Sequence, residues 1–432
     1  MVALAALLAV ALGPLPPPPE APAAAGPVVP LAEALAAAKS QSPDLEVARE
    51  RVAQARINVG RAIDQLKPTL SGNLAYTRNS TGAEVNIPGR GTVSTVEVNN
   101  VTANLTGAMS LFNARLFPAL ATARQQVDLA RFSEAQVRRE LLLQVAATYL
   151  LGAGLRELWA VSVKQALTTR QHAEQAQARF EAGAVQRSAA LRARIDALRA
   201  DEEVKRAQVH YGQTRSQLAA LVGRNDVAFE LEEPKEPAAG LREAFAPLLE
   251  KALADRPEMA AARVNAEIAA RLKTDAWAQF LPTLGLNAQL RYNNAAGFTD
   301  QNVTWAVTVA LTLPLYDGGL RYEALRDADS RTREAHAQLR GQTARVEDEL
   351  RHALLDLDSA RSLRSQAEQQ VVLARETESL VRAQFEAGTA NQVEVSDAVT
   401  ALQQGEANLL RERLNVQLAA LRLARAVGAF DP

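Results

Sequence analysis

The chain repeats itself, and a repeat of this length limits the fold to two copies of one plan before any other pattern is weighed. Pro43 and Pro68, in "LKPTLSGN", are 25 positions apart, and Pro257 and Pro282, in "FLPTLGLN", have the same separation. "LFN" at Leu111 to Asn113 is answered by "LYD" at Leu315 to Asp317, "RFEAG" ending at Gly183 by "QFEAG" ending at Gly388, and "LVG" ending at Gly223 by "AVG" ending at Gly428. The offset is 214 at the prolines and 204 or 205 from Leu111 onward, so the first copy carries an insertion between Pro68 and Leu111.

Each copy reads as helix, two strands, very long helix, tight break, long helix. The first helix, about Leu31 to Leu66, must stop before Pro68, because proline disfavours helical geometry in the residue ahead of it. The long helix after the strands runs from about Ala114 to Ala182, with Pro118 near its start, where a missing N–H is tolerated. At 1.5 Å per residue such a helix extends on the order of 100 Å. Gly183 and Gly388 stand where the long helices must reverse, as expected of residues taking the left-handed conformation that ends helices. The returning helices span about Ser188 to Val222 and Val393 to Val427. Residues 229–246, with "ELEEPKEPAAG", break the periodicity and form a linker between repeats 31–228 and 247–428, and 429–432 is a tail.

Hydrophobic residues make up 48% of the chain but aromatics only 4%, so the apolar fraction is mostly Ala, Leu and Val. That suits helices packed at close range. Leu350, Leu354, Leu357, Leu363, Ala367 and Val371 mark one seam, and Leu191, Ile195 and Leu198 another. A solvated coiled coil would carry the same stripes.

Several function classes drop out. With 48 Lys+Arg against 49 Asp+Glu there is no excess positive charge to neutralise phosphates, so no nucleic-acid partner is expected. Without cysteine there is no disulfide, no thiolate nucleophile and no lipidation on Cys. His172, His210, His336 and His352 are not paired at helical spacing, and the chain has no HExxH, GxSxG, GxGxxG or P-loop. No catalytic residue, metal ligand or cofactor is expected, and the chain does not read as an enzyme.

Val2 to Leu12 is apolar but too short to span a bilayer, as in the core of a secretory signal. Residues 1–30 are read as a signal peptide and Pro-rich segment, with small residues at Ala21 to Ala25 as cleavage sites; a disordered Ala/Pro tail is the other reading. Charged residues interrupt the later apolar runs, so no further transmembrane helix is expected. A membrane would then have to be met by strands.

Val303, Trp305, Val307, Val309, Leu311 and Leu313 alternate with Thr304, Ala306, Thr308, Ala310 and Thr312 in the strand expected at 302–313. The strand at 97–111 sets Val101, Ala103, Leu105, Met109 and Leu111 against Thr102, Asn104, Thr106 and Ser110. Strands at 69–79 and 283–293 carry Leu70, Leu74 and Tyr76, and Leu284, Leu286, Leu290 and Tyr292, on one face. Such strands with aromatics near their ends match transmembrane β-barrels. Tyr76, Tyr292 and Phe298 would stand near one membrane interface and Phe112 and Tyr316 near the other, with Trp305 also an interface aromatic. Any one strand alone is better explained as part of a half-buried soluble sheet. Together the four have no other element to cover them, and four strands cannot close a barrel, so the chain must oligomerise.

This plan, with "FEAGA" and "FEAGT" at the two helix reversals, resembles the TolC-like family of outer-membrane efflux proteins. The resemblance spans essentially the whole chain after the N-terminal segment. It implies a mainly α fold with a transmembrane β part: a homotrimer whose 12-stranded β-barrel, in contact with outer-membrane lipid, continues into an α-helical barrel. It implies a location in the outer membrane of a Gram-negative bacterium, with the helical barrel in the periplasm. The activity implied is that of a passive exit duct in a tripartite efflux or type I secretion system. A periplasmic adaptor (membrane fusion) protein and an inner-membrane pump of RND, ABC or MFS type would be its partners. The adaptor would dock at the tips formed by Phe180, Gly183, Ala184, Phe385, Gly388 and Thr389.

"VEVSDA" after the second tip is similar to the family's "VDVLDA"-type segment and places acids at Glu394 and Asp397. Their i, i+3 spacing puts both carboxylates on one helical face. In a trimer they would form acidic rings at the periplasmic mouth that attract cations, although a solvated helix face explains the same spacing. Ala390 and Ala189 stand where relatives carry a basic and an acidic residue, so apolar packing is expected to close the tips. The alternative reading, a periplasmic coiled-coil structural or adaptor protein, accounts for the helices and the repeat but not for four alternating strands at symmetric positions.

Overall fold

The structure, a computed structural model, describes residues 16–17, 26–89, 91–224, 226–232, 244–295 and 301–429. The expected signal core, the cleavage sites at Ala21 to Ala25, and Phe298 lie outside the described residues. The first copy contains β1 (Val28–Val29), α1 (Leu31–Gln41), α2 (Pro43–Asp64), β2 (Thr69–Arg78), β3 (Ala83–Ile87), β4 (Gly91–Val96), β5 (Asn99–Asn113), α3 (Leu116–Glu181) and α4 (Arg187–Leu221). After β6 (Glu230–Leu231), the second copy contains α5 (Phe245–Asp255), α6 (Pro257–Ala278), β7 (Thr283–Asn293), β8 (Val303–Thr312), α7 (Leu320–Glu386) and α8 (Gln392–Val427).

Two boundaries differ from expectation for one physical reason. The single first helix is two, because Ser42, ahead of Pro43, takes extended geometry with ψ 124°. The second copy breaks in the same way at Arg256, ψ 125°, ahead of Pro257. The insertion in the first copy folds as the antiparallel hairpin β3–β4, with Val85 opposite Val93. Only two strands were expected there.

The chain divides into two compact units. One, of residues 46–137 and 253–345, holds the four-stranded sheet; the other, of residues 1–45, 138–252 and 346–432, holds the helix reversals. The second unit has two cores. Leu142, Val145 and Tyr149 of α3 pack with Val204, Tyr211 and Leu218 of α4 and with Leu35, Leu45, Phe229 and Leu231. Leu350 and Leu357 of α7 pack with Leu423 and Val427 of α8 and Leu248 of α5.

The buried stripes are smaller than the expected seams. On α4 the buried residues include Ala190, Ala197, Ala200 and Ala207, while Ile195 and Leu198 are exposed; on α7 Ala360 is buried and Leu363 exposed. Alanine admits close helix approach, so the tightest contacts fall on the residues with the weakest hydrophobic signal. The same composition gives one later helix a stretch as apolar as a membrane span, by length and composition only. A window of α3 is long and apolar enough, and more than half of it is buried inside the protein.

The segment expected as a linker also contributes to the core unit. β1 and β6 pair in parallel, Val28 with Glu230 and Val29 with Leu231. The Tyr149 hydroxyl donates to the Val29 carbonyl at 2.9 Å and accepts from the Glu232 N–H at 3.0 Å, fixing both strands to α3. Glu230, only 1% exposed, accepts from the Tyr211 hydroxyl at 2.7 Å and lies 3.0 Å from Arg156 Nε and 3.6 Å from an Arg215 nitrogen.

Candidate functional site

In the first unit the sheet order is β2-β5-β7-β8, antiparallel throughout. α2 leads into β2 and α6 into β7, while β5 leads out to α3 and β8 to α7, so every strand meets its helix at the same end. The register stacks the apolar positions in rows across all four strands. Leu74, Ala103, Tyr292 and Val303 form one row, and Gly72, Leu105, Leu290 and Trp305 the next. Leu70, Gly107, Ala288 and Val307 follow, then Met109, Leu286 and Val309, and finally Phe112, Leu284 and Leu311. Alternation sends the intervening residues to the opposite face: Thr69, Ser71 and Asn73; Thr102, Asn104 and Thr106; Asn287, Gln289 and Arg291; Thr304, Thr308 and Thr312.

Both faces are uncovered in the single chain. On the apolar face Leu74 is 77% and Trp305 76% exposed. A single chain leaving such a surface to water would forfeit about 25 cal/mol for every Å² of it. β2 and β8 are the two edges of the sheet.

Tyr76 lies at the loop end of the apolar face, its hydroxyl donating to Asn99 Oδ1 at 2.9 Å. Tyr292 is on the neighbouring row and Trp305 one row further in. Phe112 lies at the helix end beside a bulge, where the pairing passes from Ser110 to Phe112 and leaves Leu111 unpaired. Tyr316, in the connection from β8 to α7, is among the most exposed large side chains. The sequence reading missed a cluster at this helix end. Phe280 packs 5.7 Å from Trp277 and edge-on to Tyr322 at 5.3 Å, with the Arg321 guanidinium 4.9 Å above its ring. Its signal was the aromatic run "AWAQF" just ahead of Pro282. Asp317 anchors Arg321 in turn, accepting from its Nε at 2.7 Å.

In the other unit the tips are helix C-caps. Gly183 has φ +73°, and its N–H reaches the Phe180 carbonyl at 2.9 Å while Ala184 N–H reaches Arg179 at 2.8 Å. Gly388, φ +77°, repeats this with Phe385 at 3.1 Å, and Thr389 N–H with Gln384 at 2.9 Å. A side chain at either glycine would be strained, which explains the recurrence of "FEAG". The tips also touch, the Arg179 guanidinium lying over the Phe385 ring. That contact brings a charged group to tips where apolar packing alone was expected.

Glu394 and Asp397 are both exposed near the start of α8. The structure gives Glu394 a second task the sequence reading missed. Asn391 Oδ1 accepts from the N–H groups of Val393 at 2.9 Å and Glu394 at 3.0 Å, and the Glu394 carboxylate accepts from the Asn391 N–H at 3.3 Å. This is a reciprocal capping box.

A family model described as outer membrane efflux protein matches residues 34–224 and 248–429, the two copies of the repeat. The chain belongs to that family. Membership makes it an outer-membrane efflux protein and not an enzyme. The chain is 25% identical over 412 residues to the outer membrane protein TolC of Vibrio cholerae, covering 93% of this chain and 91% of that protein. It is 22% identical over 417 residues to the outer membrane protein TolC of Escherichia coli K12, covering 91% and 79% respectively. The solved structure of the outer membrane protein VceC from Vibrio cholerae has the same fold, with a TM-score of 0.75 over 92% of this chain and 96% of VceC at 23% identity.

Proposed function

We propose that three copies of this chain close into a 12-stranded transmembrane β-barrel continuous with a periplasmic α-helical barrel, and that this trimer is the passive exit duct of a tripartite efflux or type I secretion system. One observation carries the reading: an apolar face in register over four strands, bounded by two open edges. A bilayer core tolerates no open edge, since unpaired N–H and C=O groups there cost several kcal/mol each. Joining β8 of one copy to β2 of the next removes every edge. Two copies would give eight strands, a barrel just wide enough for side chains to fill it, whereas three leave a lumen. At about 3.4 Å per residue and the tilt of barrel strands, the rows from Phe112 to Tyr76 extend about 25 Å, the height of an outer-membrane apolar band.

In this reading Tyr76, Tyr292 and Trp305 belong to the outer interface and Phe112 and Tyr316 to the periplasmic one. Repeats 31–228 and 247–428 each supply one strand pair and one helix hairpin to the wall. Phe180, Gly183, Ala184, Phe385, Gly388 and Thr389 receive the periplasmic adaptor, and an inner-membrane pump of RND, ABC or MFS type drives the cargo. Glu394 and Asp397 from three copies concentrate cations at the periplasmic mouth. The test is extraction from outer membranes in mild detergent, sizing by light scattering, and recording in planar bilayers. A trimer that conducts is expected; a monomer without conductance overturns the proposal.

A further inference from the structure

The four sheet strands contain no Asp or Glu and only two charged residues, Arg78 and Arg291. Arg78 ends β2 in register with Tyr76 and Leu74, on the apolar face. Arg291 is the one charge on the polar face, two residues from the end of β7 that faces away from the helices. Its row consists of Asn73, Asn104 and Thr304, all neutral. The rows on either side are neutral too: Ser71, Thr106, Gln289 and Ala306 on one, Thr102 and Asn293 on the other. Arg291 is exposed, and among the described residues it makes no ion pair. Asn104 Oδ1, on the adjacent strand, is buried without a hydrogen-bond partner among the described residues, so it does not hold the guanidinium either. Among the described residues nothing compensates the positive charge that this side chain carries into the space the polar face lines.

We infer that Arg291 forms an anion-attracting ring near the outer end of the duct, favouring negatively charged solutes at that level and opposing there the cation preference of the acids at the periplasmic mouth. The inference rests on the trimeric-barrel reading, which turns one lumen-facing arginine per chain into three at one level. Arginine stays charged at any physiological pH, so the ring is permanent. Rings of Arg or Lys are a known physical basis for anion preference, because a wall of low dielectric focuses their field into the water between them. The chemistry recognised is a carboxylate, phosphate or sulfonate carried by a solute in transit. In a wide lumen the effect is strongest within a Debye length of the wall, about 8 Å at physiological salt and about 30 Å at 0.01 M.

The chain has no cysteine, so one introduced thiol reports the local potential directly. Thr304→Cys puts that thiol beside Arg291 in the same row. It is treated in intact outer membranes with two membrane-impermeant methanethiosulfonates, one bearing a sulfonate and one a quaternary ammonium. The ratio of the two rates, each divided by its rate on free cysteine, cancels any effect of Arg291 on thiol ionisation. A charge about 6 Å away in water changes each rate about threefold in opposite directions, so the ratio favours the sulfonate by about tenfold at low salt. It is expected to collapse in Thr304→Cys/Arg291→Gln, to persist in Thr304→Cys/Arg291→Lys, and to shrink at high salt. A ratio unchanged by Arg291→Gln overturns the ring and leaves the barrel standing. Trp305→Cys, on the other face, is expected to be inert; if it reacts while Thr304→Cys does not, the barrel reading fails, and the ring with it.

Discussion

The guanidinium of Arg179, at the end of α3, lies 5.1 Å from the centroid of the Phe385 ring, at the end of α7. The two helix reversals of one chain are thus joined by a cation–π contact, at tips where Ala189 and Ala390 supply no charge for an ion pair. The contact has no twin, because Gln384 occupies the place of Arg179 in the second copy. Exposed contacts of this kind are worth about 0.5–1 kcal/mol, so Arg179→Gln raises the population of separated tips about two- to fivefold. Open probability in planar bilayers measures it. Phe385→Leu has the same effect and the double variant adds nothing further, since both remove one interaction; full additivity would show that the two side chains do not act together.

Glu394 combines a charge with a structural task, and the two separate by substitution. Glu394→Ala breaks one half of the capping box and Asn391→Ala the other, each costing the start of α8 about 1 kcal/mol. Amide exchange at Val393 and Val395 then accelerates about fivefold. Glu394→Gln preserves the box, because glutamine serves at this position as well, but removes the charge. Slow exchange with reduced cation preference is the expected result for Glu394→Gln. Asp397→Ala leaves exchange as it was.

His172 introduces a pH dependence near the tips. Burial pushes its pKa below the ordinary value, the Arg382 charge adds to this, and Glu378 opposes it. Arg382 and Glu378 are themselves bonded at 2.6 Å on α7, and His172 Nε2 has no hydrogen-bond partner among the described residues. With the folded pKa below the unfolded value of about 6.5, the unfolded state binds the proton more readily. The stability of this packing is therefore complete above about pH 6.5 and declines as pH falls from there through the folded pKa. Hydrogen exchange around His172 and Glu378, corrected for its intrinsic pH dependence, is expected to quicken between pH 6.5 and 5. In His172→Gln that acceleration disappears; its persistence would assign the effect to another group.

The Glu230 cluster predicts where the hairpin unit is most easily damaged. Tyr211→Phe removes a hydrogen bond to a buried carboxylate, a loss of about 1.5–3 kcal/mol. Arg156→Ala combined with Arg215→Ala removes two cationic neighbours of that buried carboxylate, costing about 3–5 kcal/mol. Burial together with the carboxylate partner raises the Tyr211 pKa, so the phenol stays a donor throughout the neutral range. Thermal melts of the purified protein are expected to rank wild type, Tyr211→Phe and the double arginine variant in that order. Equal melting temperatures would show that the cluster contributes nothing net.

What the sequence conveyed follows from where the determinants are local. The strands at Thr283–Asn293 and Val303–Thr312 were legible because alternation is written residue by residue, and the reversals because Gly183 and Gly388 are needed for a left-handed backbone. The break at Ser42 was equally local, since Pro43 stands beside it, but a long apolar period ran across it. Non-local features were not legible. Glu230 looks solvated within "ELEEPKEP", and only pairing with Val28 and the reach of Tyr149, Tyr211 and Arg156 make it buried. The Asn391–Glu394 box was masked by a more salient feature, the acidic pair with Asp397. Ile195 and Leu198 misled because hydrophobicity scales rank leucine over alanine, whereas close helix packing selects alanine.

The assignment of faces is open to a test by paired substitution in the middle of β8. Val307 lies in the row of Leu70, Gly107 and Ala288, the central row of the apolar face, and Thr308, its neighbour, points the opposite way. Arginine at a lipid-facing position near the bilayer midplane costs about 2–4 kcal/mol, while lumen positions tolerate charge. Val307→Arg in each of three copies multiplies that cost threefold, enough to prevent assembly of a marginally stable oligomer. Thr308→Arg changes neither the yield of trimer in the outer membrane nor its resistance to detergent. It does add a second positive ring two rows below Arg291, so the permeability ratio shifts toward anions. Semi-native electrophoresis of outer-membrane fractions reads the first effect and bilayer reversal potentials the second. Equal yields of the two variants would mean that the sheet does not present its Leu70–Val307 face to lipid.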